Sequence, residues 1–179
     1  MKISYLNMLA VCFVLIFIGC KDDENSNPPH NTFIHGENSY ILPKGFIEDF
    51  GENSGEGSRS YDINLLSEGF EVNQYDQYAE LAGTGEILYL DLNSNSIVEF
   101  VPGHFQWVNE DRPPNSIVGG YLGINCQADN KRCRSFYSIV AGTIDVTFKS
   151  KVYTIIVHLL LENGVSVSGT YKGMLTKVN

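Results

Sequence analysis

The sequence lacks the features that mark many enzymes and nucleic-acid-binding proteins. It has no Gly-x-Ser-x-Gly nucleophile elbow and no glycine-rich phosphate-binding loop. Basic residues are scarce, because 12 Lys and Arg stand against 21 Asp and Glu, for a formal net charge of −9. Nucleic acids and anionic lipids are bound through clustered Lys and Arg. The composition therefore argues against both as partners and predicts no nucleic-acid binding.

The chain also has no apolar run long enough to span a bilayer. Its N-terminal apolar core extends from Met8 to Ile18, whereas a membrane-spanning helix needs about 20 residues. Lys2 precedes this core, and a basic start followed by a short apolar stretch is typical of a secretory signal peptide. We therefore expect residues 1–19 to be a signal peptide, with a transmembrane anchor as the alternative.

The end of this segment reads Phe17-Ile18-Gly19-Cys20. It resembles the box of apolar and small residues before a Cys that ends the signal peptides of bacterial lipoproteins, although Phe17 stands where Leu is usual. The resemblance implies that the thiol of Cys20 receives a diacylglycerol and that cleavage before Cys20 leaves it at the N-terminus. Outer-membrane lipid is then a partner of the chain through acylated Cys20. An ordinary signal peptide that contains a Cys is the alternative.

The next four residues, Lys21, Asp22, Asp23 and Glu24, resemble the export signal of surface lipoproteins in Bacteroidota. This resemblance implies a cell-surface location on the outer membrane, and a merely polar tether is the alternative. A polar, proline-containing stretch follows, which is typical of a flexible linker. We expect a lipidated N-terminus and linker over 20–38 and a single folded domain over 39–179.

Two of the four cysteines, Cys126 and Cys133, remain once Cys12 leaves with the signal peptide and Cys20 is acylated. A hairpin turn at Asp129-Asn130 places them directly opposite each other, within disulfide range. Export through an oxidising compartment favours a disulfide bond. Free thiols and a metal-binding pair are the alternatives, and no metal site is predicted.

The secondary-structure pattern predicts an all-β body, because no stretch keeps helical spacing over three turns while short β-branched and aromatic runs alternate with turn residues. Residues 72–82 could hold a helical turn. The candidate strands are 39–43, 60–66, 86–92, 97–101, 104–108, 117–125, 134–148, 152–161 and 165–175.

Side-chain alternation in the last third of the chain determines the loop lengths. For the apolar faces to coincide, the loop after residue 161 must have an odd number of residues, which predicts the loop Glu162-Asn163-Gly164 with Gly164 left-handed. The loop before residue 153 must have an even number of residues, such as Ser150-Lys151. The opposite face of 152–161 carries Ile156, His158 and Leu160, which predicts cover on both sides. We therefore expect an antiparallel β-sandwich, with a closed, lipocalin-like β-barrel as the alternative.

The body also resembles small uncharacterised surface lipoproteins of Bacteroidota. The resemblance lies in "YDINLLSEG", "LYLDLNSNS" with "FVPGHF", and "GTIDVTF" with "YTIIVHLLLENGVSVSGTYKGML". It implies a β-sandwich without an assigned reaction. We expect a binding or accessory module for a glycan or another extracellular ligand, including a protein. A structural subunit of a surface assembly is the alternative, and a hydrolase of envelope polymers is less favoured.

Few residues suggest a site, and no cofactor is predicted. Phe105 and Trp107 share one face of a strand and could stack on a sugar, although the same pair could be core. His158 is expected in a core or interface, and Asp91 begins a calcium-like loop that lacks the required Gly and Glu, so a turn is favoured. The neighbouring pairs Glu48/Asp49 and Glu110/Asp111 point to opposite faces of a strand, which argues against catalysis by either pair.

Replacing Cys20, the proposed acylation site, tests the predicted lipid anchor and cell-surface location. We expect Cys20→Ala to abolish incorporation of radiolabelled palmitate in cells, because the thiol is the acceptor, whereas Cys12→Ala should leave labelling unchanged. Added protease should digest the wild-type protein on intact cells. Palmitate labelling of the Cys20→Ala protein would contradict the lipid anchor. Protection of the wild-type protein from added protease would contradict the cell-surface location.

Overall fold

The computed structural model describes residues 30–53, 56–74, 79–109 and 112–178. All regular secondary structure in these ranges is β-strand, so the all-β prediction is confirmed. The strands are β1 (Thr32–His35), β2 (Asn38–Ile41), β3 (Lys44–Asn53), β4 (Ser58–Leu66), β5 (Phe70–Gln74), β6 (Ala79–Ser94), β7 (His104–Trp107), β8 (Ser116–Gln127), β9 (Arg132–Lys149), β10 (Val152–Leu161), β11 (Ser166–Gly173) and β12 (Leu175–Val178).

The strands form one strongly curled mixed sheet, a half-barrel, in the order β12-β3-β4-β6-β8-β7-β9-β10-β11-β1-β2. β5 pairs with β6 beside this path, and β8 also pairs directly with β9. Two pairs are parallel, β12 with β3 and β7 with β8. The sheet therefore resembles a barrel in having one layer, and it differs from a closed barrel in having two margins, at β2 and β12.

The predicted registers of the C-terminal meander are confirmed. Ser150 and Lys151, with φ of 52° and 67°, form the two-residue turn that places Val152 opposite Lys149. The loop Glu162-Asn163-Gly164 has three residues, and Gly164 is left-handed with φ of 78°. Parity of side chains is thereby kept from Ile144 through both turns to Tyr171, and the strands bury the same face. A bulge opposite Leu160 and Leu161 shifts the register before Ile144, so that Ile139 is buried as well.

The inner face of the curled sheet closes on one apolar core. Burial of these aliphatic and aromatic side chains is the main favourable term for folding. The fully buried members include Phe33, Leu42, Ile63, Leu65, Leu88, Leu90, Leu92, Phe105, Ile117, Leu122, Ile144, Ile155, Val157, Leu161 and Val167.

Tyr171 joins the two sides of the half-barrel. It lies on β11, and its hydroxyl donates to the carbonyl of Met174 at 2.6 Å. Its phenol packs against Gly45 on β3, where an added Cβ would lie 2.5 Å from the hydroxyl oxygen. β3 and β11 are not hydrogen-bonded neighbours, but β12, which follows β11 after Met174, pairs with β3 at Gly45. The phenol therefore bridges the gap between β11 and β3 beside the β12–β3 ladder.

The strand predicted at 97–101 is wrong. Ser94 at the end of β6 accepts from the backbone N–H of Val101 through its Oγ at 2.7 Å, which turns the chain into a loop. Phe100 in this loop packs against the core, stacked at 5.9 Å on Phe105. The apolar residues that suggested a strand therefore belong to the loop between β6 and β7, which Phe100 attaches to the core.

Of residues 72–82, where a helical turn was possible, 72–74 belong to β5 and 79–82 to β6 as antiparallel partners, and 75–78 lie outside the described residues. β1, β3, β5 and β12 were not expected, since the last candidate strand, 165–175, ends where β12 begins. β1 lies within the predicted linker 20–38 and pairs with β11, with Phe33 buried at its centre. The folded body therefore begins earlier than the sequence pattern indicates.

The expectation that β10 is covered on both sides is wrong for the described part of the chain, and His158 does not lie in the core; its place in an interface stays a prediction. Ile156 and Leu160 are 38% and 37% exposed, and His158 is exposed as well. Their register neighbours explain this, because Ile156 lies between Asp145 and Thr170. The outward-facing Ile156 therefore has polar neighbours on both sides, and no second layer covers β10 in the described ranges.

Adding a methyl group beneath Tyr171 tests the contact across the gap. We expect Gly45→Ala to lower the free energy of unfolding by about 1–3 kcal/mol, because the new Cβ overpacks against the phenol. The control is Gly103→Ala, since its nearest atom would be 3.7 Å away. Equal urea-denaturation midpoints for both variants would contradict the role of this contact.

Candidate binding groove on the outer face

A groove of about 720 Å³ opens on the outer face of the sheet, between the β5–β6 hairpin and the end of the β8–β9 hairpin. Sites of this size with apolar walls and a few polar groups are typical for ligands. Its walls include Phe70, Leu81, Ile87, Tyr121 and Phe136, and its rim includes Asn73, Glu80, Gln127, Asp129, Lys131 and Arg132.

Strand alternation places an aromatic row beside this groove. Because Leu88 and Leu90 face the core, Tyr89 between them faces outward. Tyr89 lies opposite Tyr121 with ring centroids 5.1 Å apart, and Tyr121 is stacked on Phe136 at 4.5 Å. Phe136 is 52% exposed, so the row of Tyr89, Tyr121 and Phe136 offers an aromatic surface to solvent.

The predicted pairing of Cys126 with Cys133 is confirmed, and it forms one wall of the groove. The two residues are opposite each other on β8 and β9, and their sulfur atoms are 2.01 Å apart. Gly123 makes room for them, because a Cβ at that position would lie 2.6 Å from Cys126 Sγ. The bond ties together the two strands that carry Tyr121 and Phe136.

The polar rim carries both signs of charge. Lys131 and Arg132 end the β8–β9 turn, while Glu80 and Asp129 provide carboxylates. Gln127 accepts a hydrogen bond from Asn130 at 2.7 Å. A rim of this kind offers hydrogen-bond donors and acceptors without a strong net potential, which suits a polar ligand of low net charge.

A carboxylate pair lies on the same face next to the aromatic row. Asp62 on β4 is directly opposite Asp91 on β6. Partial burial raises the pKa of Asp62 from 3.8 to about 6, with Asp91 and Glu48 adding to the rise and a hydrogen bond from Tyr89 opposing it. Burial also raises the pKa of Asp91, and the charge of Arg112 opposes that rise. The pair can therefore hold a proton close to neutrality.

Sequence reasoning missed this pair because the two residues come from strands that are distant along the chain. The strands 60–66 and 86–92 were predicted, but only their register shows that Asp62 and Asp91 meet. Paired carboxylates with raised pKa values occur in acid–base catalysis. Neither Asp62 nor Asp91 lines the groove, so the arrangement does not bring their protons to a ligand bound there.

The predicted pair Phe105 and Trp107 does not form a surface site. Phe105 is fully buried in the core, as the core interpretation requires. Trp107 is partly buried against the same core and donates from its indole Nε1 to Asn109 at 3.0 Å. Neither residue lines the groove.

The other side chains that were considered as metal ligands lie far apart in the sheet. His104 contacts Asp145 through Nδ1 at 2.7 Å in an exposed pair, and His35 is buried against Tyr137 at 5.1 Å. Asp91 lies within β6 rather than in a calcium loop. Across the described ranges, no group of three or more His, Cys, Asp or Glu is placed to hold a metal ion.

Cys20 and the segment Lys21–Glu24 lie outside the described residues, as do Glu110 and Asp111. Among residues 30–178, where the structure describes them, there is no helix long and apolar enough to cross a membrane. No protein-family model, curated protein or solved structure matches the chain.

Removing the Asp62 carboxylate tests its raised pKa. The folded state holds this proton more tightly than the unfolded state, so ionisation costs stability as pH rises from about 4 to 6 and beyond. We expect Asp62→Asn to stabilise the protein by about 1–2 kcal/mol near pH 8, a value reduced for solvation, and to change little near pH 4. Thermal unfolding across pH measures this. The exposed control Glu37→Gln should show no such dependence, and a pH-independent Asp62→Asn effect would contradict the assignment.

Proposed function

We propose that the chain is a cell-surface lipoprotein of the outer membrane, anchored through acylated Cys20, whose all-β body binds an extracellular glycan in the outer-face groove. The sequence from Phe17 to Glu24 supports the lipid anchor and the cell-surface location. The ligand class is supported by the groove, which combines exposed aromatic rings with a polar rim. Binding, rather than a reaction, is the role we infer.

The aromatic row is the observation that carries this proposal. A sugar ring has apolar C–H faces and hydroxyl edges, so it stacks on an aromatic ring while its edges bind polar side chains. Phe136 offers a half-exposed ring, and the rim places Asn73 and Arg132 nearby. The disulfide holds these elements together, which lowers the entropy lost on binding.

For the architecture, we infer the barrel-like alternative rather than the sandwich. A single curled sheet encloses the core, and Tyr171 reaches across its gap to Gly45. The outward-facing Ile156 on β10, with polar neighbours on both sides, gives a second sheet little to cover.

Assembly with other subunits is a second candidate function, and one observation favours it. In the described part of the chain, β2 pairs only with β1, and Ile41 on β2 is 65% exposed. A free edge with an exposed apolar residue can accept a strand from a partner.

Two phenylalanines of equal exposure allow a matched test of glycan binding. We expect the mature chain to bind at least one of a panel of soluble polysaccharides, and Phe136→Ala to weaken that binding about ten-fold or more, because a stacking surface is lost. Phe148→Ala is the control, since Phe148 is 51% exposed and lies outside the groove.

Calorimetric titration or affinity electrophoresis gives the measurement. Equal weakening by both substitutions, or no effect of Phe136→Ala, would refute the groove as the binding site. Failure to bind any polysaccharide of the panel would refute the glycan ligand.

A further inference from the structure

A second cavity of about 290 Å³ lies apart from the groove, beneath the loop between β6 and β7. It shares none of its lining residues with the groove. Its lining includes three aromatic rings, two carboxylates and one lysine: Tyr61, Phe100, Tyr153, Asp49, Glu99 and Lys177.

The three rings meet at steep angles. The rings of Tyr61 and Phe100 are 5.2 Å apart with an interplanar angle of 72°, and those of Phe100 and Tyr153 are 6.3 Å apart at 52°. An aromatic ring carries partial negative charge on its faces. The rings differ in orientation around the cavity; one face of Phe100 is covered by Phe105, and its other side lines the cavity with Tyr61 and Tyr153.

Carboxylates add to this negative potential. Burial raises the pKa of Tyr61, and the charges of Asp49 and Glu99 raise it further, while the charge and hydrogen bond of Arg59 oppose the rise. Asp49 is already paired with Arg59 at 2.7 Å. Glu99 has no Lys, Arg or His partner within 4.0 Å in the described ranges, so its charge is available to a cation.

The loop that carries Phe100 and Glu99 is held in place by the body. Arg59 donates from Nη1 to the carbonyl of Ile97 at 3.0 Å, and Ser96 Oγ accepts from the N–H of Val98 at 3.1 Å. The cavity is therefore bounded by this loop on one side and by β3, β4, β10 and β12 on the other.

We propose that this cavity binds a quaternary ammonium group. Aromatic faces attract such a cation, and its methyl groups fill an apolar space that a hydrated ion would not. The volume is sufficient for the trimethylammonium end of a ligand. Lys177 is the one basic side chain in the lining; it is exposed, and its ammonium group competes for the same negative potential.

A pair of probes separates charge from shape. Choline and its neutral isostere 3,3-dimethylbutan-1-ol have nearly the same volume, so ligand-observed NMR with the mature chain compares them directly. We expect choline to bind at millimolar concentration and the isostere to bind about ten-fold more weakly or not at all. Equal binding of the two probes, or no binding of choline, would overturn the proposal.

Variants then assign the binding to this cavity. We expect Glu99→Gln to weaken choline binding several-fold and Lys177→Met to strengthen it, whereas the exposed control Glu37→Gln should leave it unchanged. Tyr153→Phe should retain binding and Tyr153→Leu should lose it, because only the former keeps an aromatic face. Unchanged affinity in both Glu99→Gln and Tyr153→Leu would place choline elsewhere and refute the cavity.

Competition identifies the source of the ammonium group. Displacement of choline by phosphatidylcholine vesicles would assign the cavity to a lipid headgroup. Displacement only by soluble trimethylammonium compounds would assign it to a free small molecule. Either result supports the ammonium site, and the glycan measurements with Phe136→Ala are independent of both.

Discussion

The structure depends on one constraint: a single sheet has to bury its own inner face. With one layer in the described residues, the apolar side chains of β3, β4, β6 and β8 have to pack against those of β9, β10 and β11, which the curl of the sheet makes possible. Tyr171 completes this packing beside the β12–β3 ladder, since its ring occupies the space that Gly45 and Gly173 leave. Bulk at Gly45 would therefore press against a side chain of the opposite side.

This constraint also determines where a ligand can bind. The concave face is filled by residues such as Leu90, Ile144 and Val157, which have no exposed surface. The groove and the smaller cavity instead lie on the outer face and beneath the β6–β7 loop. They differ in chemistry, because the first combines aromatic rings with a rim of both charges, and the second combines rings with the carboxylate of Glu99, which has no basic partner among the described residues.

Local patterns were sufficient wherever a short loop joins two neighbouring strands. The alternation of apolar side chains predicted the turn at Ser150-Lys151 and the three-residue loop at 162–164. The geometry of a hairpin predicted the pairing of the two cysteines. Patterns failed where the partner is distant. β1 was assigned to a linker, because a four-residue strand is recognisable only beside β11. Likewise, Asp62 and Asp91 become a pair only through the register of β4 and β6.

The sequence by itself determined the all-β class, the meander of β9 to β11 and the cysteine pairing, while the lipoprotein start stays a prediction. These depend on neighbouring residues and on the two-residue period of a strand, both of which can be read along the chain. The tertiary structure alone decided which outward-facing residues meet. Tyr121 and Phe136 form an aromatic surface, and Tyr61, Phe100 and Tyr153 line a cavity, because the curl of the sheet brings separate strands and a loop together. The same curl places Phe105 in the core.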